Sequence, residues 1–220
     1  MTHLDVLVLG STGPIGRAMV RNAESHQVRL RGVSRSSVPA IDVEQPLQVA
    51  EALELFPAST VVYLVTPPPK HIDDASAGQA LQALENVLVA AENAAVTRFL
   101  YVSSAAVYGT TPQLGERFGE QHALLGESPY ARLKQESERL VATHRSRLMS
   151  TTSIRVFNVY GPDCDESLIN GLISGSARIW NSPDFIRDYV HVDDVANILI
   201  ELTAHADTLP EVINLGTGIG

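Results

Sequence analysis

The chain has 220 residues, 45% hydrophobic and 19% charged, which fits one soluble globular domain with a sizeable core. A formal net charge of -9 argues against a nucleic acid or an anionic membrane as partner, although Arg29, Arg31 and Arg35 offer local charge to a small anion. The single cysteine, Cys164, excludes an intrachain disulfide, and with no nucleophile motif around it the residue reads as a passive small side chain.

The N-terminus, Met1-Thr2-His3-Leu4-Asp5, has no basic region followed by a long apolar run, and no apolar stretch approaches bilayer length. A cytoplasmic protein is therefore expected. Leu4 to Leu9 reads as a strand buried on both faces, followed by the glycine-rich stretch Gly10 to Gly16 and a helix from about Pro14 to Glu24. Val28 to Val33 is the second expected strand and Ala40 to Val43 a short third. Pro46 to Leu55 has helical spacing with proline at its start, and Thr60 to Val65 is a strand closed by Pro67, Pro68 and Pro69. Ala80, Leu84, Val87, Leu88 and Ala91 share one face of a helix expected over Ser76 to Ala95. Arg98 to Ser103 is a strand, Pro129 to about His144 a helix, and Ser153 to Phe157 a further strand. Beyond Gly161 the rhythm loosens: helices around Ser167–Ser174 and Asp193–Ala204 are joined through Trp180, Pro183 and Arg187, and a strand precedes the closing glycines.

Strands alternating with helices imply a doubly wound, Rossmann-type parallel sheet with helices on both faces. Residues 1–160 form the expected dinucleotide-binding core. Residues 161–220 form a small C-terminal substrate-binding lobe interleaved with the last core elements. The end at Gly220, just past a strand, reads as a C-terminal truncation.

Gly10-Ser11-Thr12-Gly13-Pro14-Ile15-Gly16 joins the first strand to the first helix with glycines at three-residue spacing. Glycine permits the tight turn and close backbone approach to a pyrophosphate, and the helix N-terminus adds free N–H groups. A dinucleotide is the expected ligand, with Gly10, Thr12, Gly13, Pro14, Ile15 and Gly16 around it. A carboxylate at the end of the second strand would select NAD, but Ser34-Arg35-Ser36-Ser37 stands there. Arg35 can pair with a 2′-phosphate and Ser34 can donate to it, so NADP(H) is favoured, with NAD(H) left open. Asp42 and Val43 are placed at the adenine edge.

Tyr130 and Lys134 lie four residues apart, on one face of a helix. A phenol titrates near ~10, too high for a base at neutral pH. An adjacent ammonium, with a cationic nicotinamide, is expected to lower that value and let Tyr130 exchange a proton with a substrate oxygen. Ser104, just past a strand, sits at the carboxyl edge of the sheet, where it can hydrogen-bond the same oxygen.

With these residues in place, the chain resembles the extended short-chain dehydrogenases/reductases, the nucleotide-sugar epimerases, dehydratases and reductases, over essentially its whole length. The resemblance extends through Arg155-Val156-Phe157-Asn158-Val159-Tyr160-Gly161-Pro162, through Arg187-Asp188-Tyr189-Val190-His191-Val192-Asp193-Asp194-Val195-Ala196 and through Asn214-Leu215-Gly216-Thr217-Gly218. It implies that Asn158 and Arg187 contact the diphosphate of a nucleotide sugar, and that Val65 and Thr66 lie beside the cofactor. His191, Asp193 and Asp194 read as structural, with Asp193 capping the next helix, and no metal site is expected. Dehydratases of the family carry an acidic pair where Ala105 and Ala106 stand, which disfavours dehydration. Fucose-synthase-like members use a cysteine and a histidine, and no cysteine lies near Ser104. The short stretch between Pro162 and Arg187, with Ser34-Arg35, is more similar to NADPH-using keto-sugar reductases of the abequose-synthase kind. Val65-Thr66-Pro67-Pro68-Pro69 departs from the small residues usual at that place.

The expected activity is hydride transfer at a sugar carbon, as NADPH-dependent keto-sugar reduction. The alternatives are an epimerase with retained cofactor and a non-catalytic NADP(H)-sensing protein. A homodimer is left open.

Overall fold

The computed structural model describes residues 4–110, 117–165, 167–178, 186–204 and 208–219, so Trp180, Pro183 and Gly220 lie outside the described residues. Its elements run in the order β1 (Leu4–Leu9), α1 (Pro14–Asn22), β2 (Leu30–Val33), α2 (Pro46–Leu55), β3 (Ala58–Tyr63), α3 (Asp74–Asn93) and β4 (Arg98–Ser104). There follow α4 (Pro129–Thr143), β5 (Ser150–Val156), β6 (Asn158–Tyr160), α5 (Leu168–Ile173), β7 (Tyr189–His191), α6 (Val192–Ala204) and β8 (Val212–Leu215). The main sheet has the order β2-β1-β3-β4-β5-β8, and every pairing in it is parallel. β6 and β7 form a separate parallel pair.

Val6, Leu7 and Val8 are fully buried, as an unbroken apolar run requires of a strand covered on both faces. Alternate residues feed opposite cores. Leu7, Val61 and Phe99 pack with Val49, Leu53, Leu84, Leu88 and Val141 of α2, α3 and α4. Val6, Val8, Val62 and Leu100 pack with Met19 of α1 and Val195, Ala196 and Leu199 of α6. The result is three layers, a Rossmann-type fold. β2 lies on one side of β1 and β3 on the other, so the direction of winding reverses at the carboxyl ends of β1 and β3. That crevice is where the sheet topology places a ligand.

Several boundaries differ from expectation for identifiable reasons. Ala40 to Val43 is not a strand: Ile41 and Val43 are buried, but Ile41 N–H donates to the Ser34 carbonyl, and the Asp42 carboxylate and carbonyl receive the amides of Glu44 and Gln45. Local turn bonds therefore satisfy a backbone that burial periodicity made strand-like. β2 starts at Leu30 rather than Val28, because Gln27 is left-handed at φ 57° and the Val28 amide closes back on Ala23. β5 begins at Ser150, and its polar residues Thr151, Thr152, Ser153 and Arg155 are buried; Thr152 Oγ1 donates to the Pro210 carbonyl at 2.8 Å. Asp193 does not cap α6 but lies in its first turn, pairing with Arg21, while its amide donates to His191 Nδ1 at 3.2 Å. Among the described residues no helix is long and apolar enough to cross a membrane, and no cluster of metal ligands occurs.

Candidate active site

A cleft of about 590 Å³ opens at the winding reversal, a size typical of small-molecule sites. Gly10, Gly13, Pro14, Ile15 and Gly16 form one wall, Thr66 and Ser104 lie at the strand ends, and Tyr130 and Lys134 face in from α4. Phe157, Val159, Cys164 and Asp165 line the far side.

The glycine wall is required by space. Gly10 has a φ of +93°, and its amide donates to the Val33 carbonyl at 3.0 Å. A Cβ on Gly16 would stand 2.6 Å from the Gly10 carbonyl, so only glycine lets α1 start this close to β1. Pro14 at the first helical position gives up an amide that the helix would not use. The same Val33 carbonyl also accepts from Ser11, which sets the following residue, Ser34, beside the glycine turn. Thr12 and Arg35 are exposed, neither lining the cleft. The Asp42 amide donates to Gln48 Oε1 at 2.9 Å, and Val43 belongs to the core behind α2. Val65 packs against that core and against Gly10.

Ser128 caps α4, accepting from the Ala131 amide at 3.1 Å, and Pro129 opens the helix. This start puts Tyr130 and Lys134 over the end of β4. Ser104 Oγ accepts from the Ala106 amide at 3.2 Å and hydrogen-bonds to Tyr130. Lys134 is 3% exposed, and its Nζ donates to Thr66 Oγ1 at 2.7 Å and to the Val102 carbonyl at 2.8 Å. It stands 4.8 Å from the centre of the Tyr101 ring and 5.8 Å from that of Tyr130. Burial lowers Lys134 to about 7, with Glu138 pulling the other way. The neighbouring ammonium by itself does not lower the Tyr130 pKa. Burial pushes the phenol up, the Ser104 hydrogen bond only partly opposes it, and the ammonium is directed at Thr66 and Val102 instead. Burial, with Asp163 and Asp165 nearby, pushes the Cys164 thiol up to about 11.

Asn158 and Arg187 come together outside the cleft lining. Arg187 Nη1 donates to Asn158 Oδ1 at 3.3 Å, and Asn158 Nδ2 donates to the Asp188 carbonyl at 2.9 Å. The Asp188 carboxylate accepts from the Thr217 amide at 2.9 Å, the Thr217 hydroxyl at 2.6 Å and the Gly218 amide at 2.7 Å. Two segments noticed separately in the sequence are thus one buckle.

The sequence reading missed the polar layer beneath the cleft. Arg155 Nη2 pairs with Glu138 Oε2 at 2.7 Å, both side chains being buried, and Ser103 Oγ donates to the same carboxylate. Arg155 Nη1 donates to Tyr108 Oη at 2.8 Å, and Tyr108 donates to Asn214 Oδ1 at 2.7 Å. Glu138 lies four residues beyond Lys134 on the same helical face, a spacing that was available as a signal.

The sequence profile of the NAD dependent epimerase/dehydratase family matches residues 6–216. The low-salt glycan biosynthesis protein Agl12 of Haloferax volcanii is 27% identical, over 98% of this chain and 78% of that protein. The structure of MoeE5 in complex with UDP-glucuronic acid and NAD superimposes with a TM-score of 0.84 at 27% identity, covering 97% of this chain and 76% of that one. The UDP-glucose 4-epimerase of Thermus thermophilus, complexed with NAD, shares the fold at a TM-score of 0.82 and 23% identity, over 97% and 78% of the two chains.

Proposed function

Because the chain belongs to the NAD dependent epimerase/dehydratase family, enzymes that use NAD(P) on nucleotide sugars, we propose that it is an NADPH-dependent reductase of a nucleotide-linked keto-sugar. The observation that carries this reading is the convergence of Ser104, Tyr130 and Lys134 with the glycine turn on one cleft. Gly13, where a Cβ would meet only the Gly10 carbonyl at 3.7 Å, lines the cleft and leaves the start of α1 open, which fits a pyrophosphate there. Gly10, Gly13 and Gly16 would hold the dinucleotide, with Thr66 and Lys134 towards its nicotinamide end and Ser34 and Arg35 towards its 2′-phosphate. When bound, the reduced dinucleotide supplies hydride to the sugar carbon. Ser104 holds the carbonyl oxygen by hydrogen bonding, and Tyr130 gives that oxygen its proton. Lys134 orients the dinucleotide ribose. Asn158 and Arg187, joined to each other, bind the nucleotide diphosphate, with residues 161–220 contributing the rest of the substrate site.

Ala105 and Ala106 follow Ser104 in a short 3-10 turn and carry no acid or base, which favours simple reduction over elimination of water. The family match, which takes in epimerases, favours a second reading. In that reading an epimerase oxidises and re-reduces one carbon with a retained cofactor. The test is to offer a panel of nucleotide-linked keto-sugars with NADPH or NADH and follow the nicotinamide absorbance. Consumption of NADPH faster than NADH is the expected result. Interconversion of two nucleotide hexoses with neither dinucleotide consumed would replace the reductase by the epimerase.

A further inference from the structure

We propose that Thr66 is the positioning residue for Lys134: its hydroxyl is a fixed acceptor that holds the buried ammonium in place and leaves one N–H for the cleft. The proposal rests on the reading that Lys134 contacts the dinucleotide. An ammonium has three hydrogens, and here two are engaged, by Thr66 Oγ1 at 2.7 Å and by the Val102 carbonyl at 2.8 Å. Thr66 Oγ1 also donates to the Val65 carbonyl at 2.8 Å. Its own proton is thereby committed, and a lone pair is turned to Lys134. The acceptor cannot drift. On one side the Leu64 amide is tied to the Leu9 carbonyl at 2.9 Å, and on the other Pro67, Pro68 and Pro69 fix the backbone. Both Thr66 and Lys134 line the cleft.

Among the described residues, the charged and titratable groups around Lys134 are few. Tyr130 and Glu138 face it from α4 and Tyr101 from β4, with Tyr63 of β3 beside Tyr101, ring centres 6.1 Å apart. Arg155 of β5 lies on the far side of Glu138 and pairs with it. The Thr66 hydroxyl and the Val102 carbonyl, with the Glu138 charge beyond them, sustain the ammonium against burial, which has already brought Lys134 to about 7. Removing the hydroxyl leaves the ammonium short of an acceptor, so its proton is lost at lower pH.

The experiment measures NADP⁺ affinity against pH in the Tyr130→Phe protein, where the phenol no longer titrates. Comparing variants at each pH cancels the titration of the ligand itself. Affinity is expected to fall as pH rises and Lys134 loses its charge. Adding Thr66→Val should move this fall to lower pH by roughly one unit, adding Thr66→Ala should do the same, and Thr66→Ser should restore it. Circular dichroism and the thermal midpoint establish that each variant is folded, and the alanine variant stands in should valine fail. A fall that stays in place in both hydroxyl-less variants, or that serine does not restore, overturns the role of Thr66. Adding Lys134→Met separates the two readings. If it abolishes the pH-dependent fall while the Thr66 variants do not shift it, only the Thr66 proposal is lost. If the fall survives Lys134→Met, the ribose-binding reading is lost and the Thr66 proposal with it.

Discussion

The two ends of the cleft are built on opposite principles. At the α4 end, Lys134 and the supporting Glu138 and Arg155 are buried and Tyr130 is partly buried, and hydrogen bonds from two strands and a loop fix them. At the β2 end, Ser34, Ser36 and Ser37 bond mainly to one another and to nearby carbonyls, and Arg35 is exposed. Burial shifts acidity and removes rotamer freedom, so the first end suits proton handling. Exposure leaves a charge screened by salt, so the second suits recognition of an anion with modest energy. Chemistry and cofactor choice are thus separable along one cleft, and substitutions should divide accordingly.

The largest effect should come from breaking the buried support. Glu138→Ala strands the Arg155 guanidinium among Tyr108 and the Glu120 carbonyl, and should cost about 3–5 kcal/mol of stability, read from urea denaturation. A double replacement of Glu138 and Arg155 by apolar residues of similar volume should recover most of that loss. A single variant as stable as the parent would mean that the polar layer is not what holds this end rigid. Next in size, Tyr130→Phe should lower turnover of an accepted keto-sugar by roughly 10²–10⁴-fold with little change in dinucleotide affinity. A parental rate would remove Tyr130 from the chemistry. Smaller still, Arg35→Ala should narrow the preference for NADP(H) over NAD(H) by about 1.5–3 kcal/mol, leave NAD(H) binding nearly unchanged, and matter less in high salt. Equal affinity of the unsubstituted protein for both dinucleotides would end the claim that this loop selects the phosphate.

What was legible in the sequence was local. The glycines at 10, 13 and 16 sit within one turn, Tyr130 and Lys134 share one helical face, and the alternation of strand and helix orders the sheet. Ala40 to Val43 misled because its buried Ile41 and Val43 imitate a strand while turn bonds satisfy its backbone. Helical spacing from Lys134 pointed to Glu138, but its partner Arg155 and the Asp188–Thr217 buckle come from separate elements, which no spacing rule reaches. The ammonium's own part in the Tyr130 shift was misjudged for a related reason. Helical spacing placed Lys134 near the phenol, but the ammonium follows its acceptors, and one of these, Thr66, arrives from the end of β3.

The central claim is that hydride passes from an exchangeable reduced dinucleotide to a sugar carbon, and isotope transfer tests it most directly. The protein would be given NADPH deuterated at the transferable position of the nicotinamide together with an accepted nucleotide-linked keto-sugar. One deuterium is expected on the former carbonyl carbon of the product for each NADP⁺ formed. A product that gains no deuterium while the sugar changes configuration would contradict it, because the hydride would then have come from the substrate itself through a cofactor that never leaves.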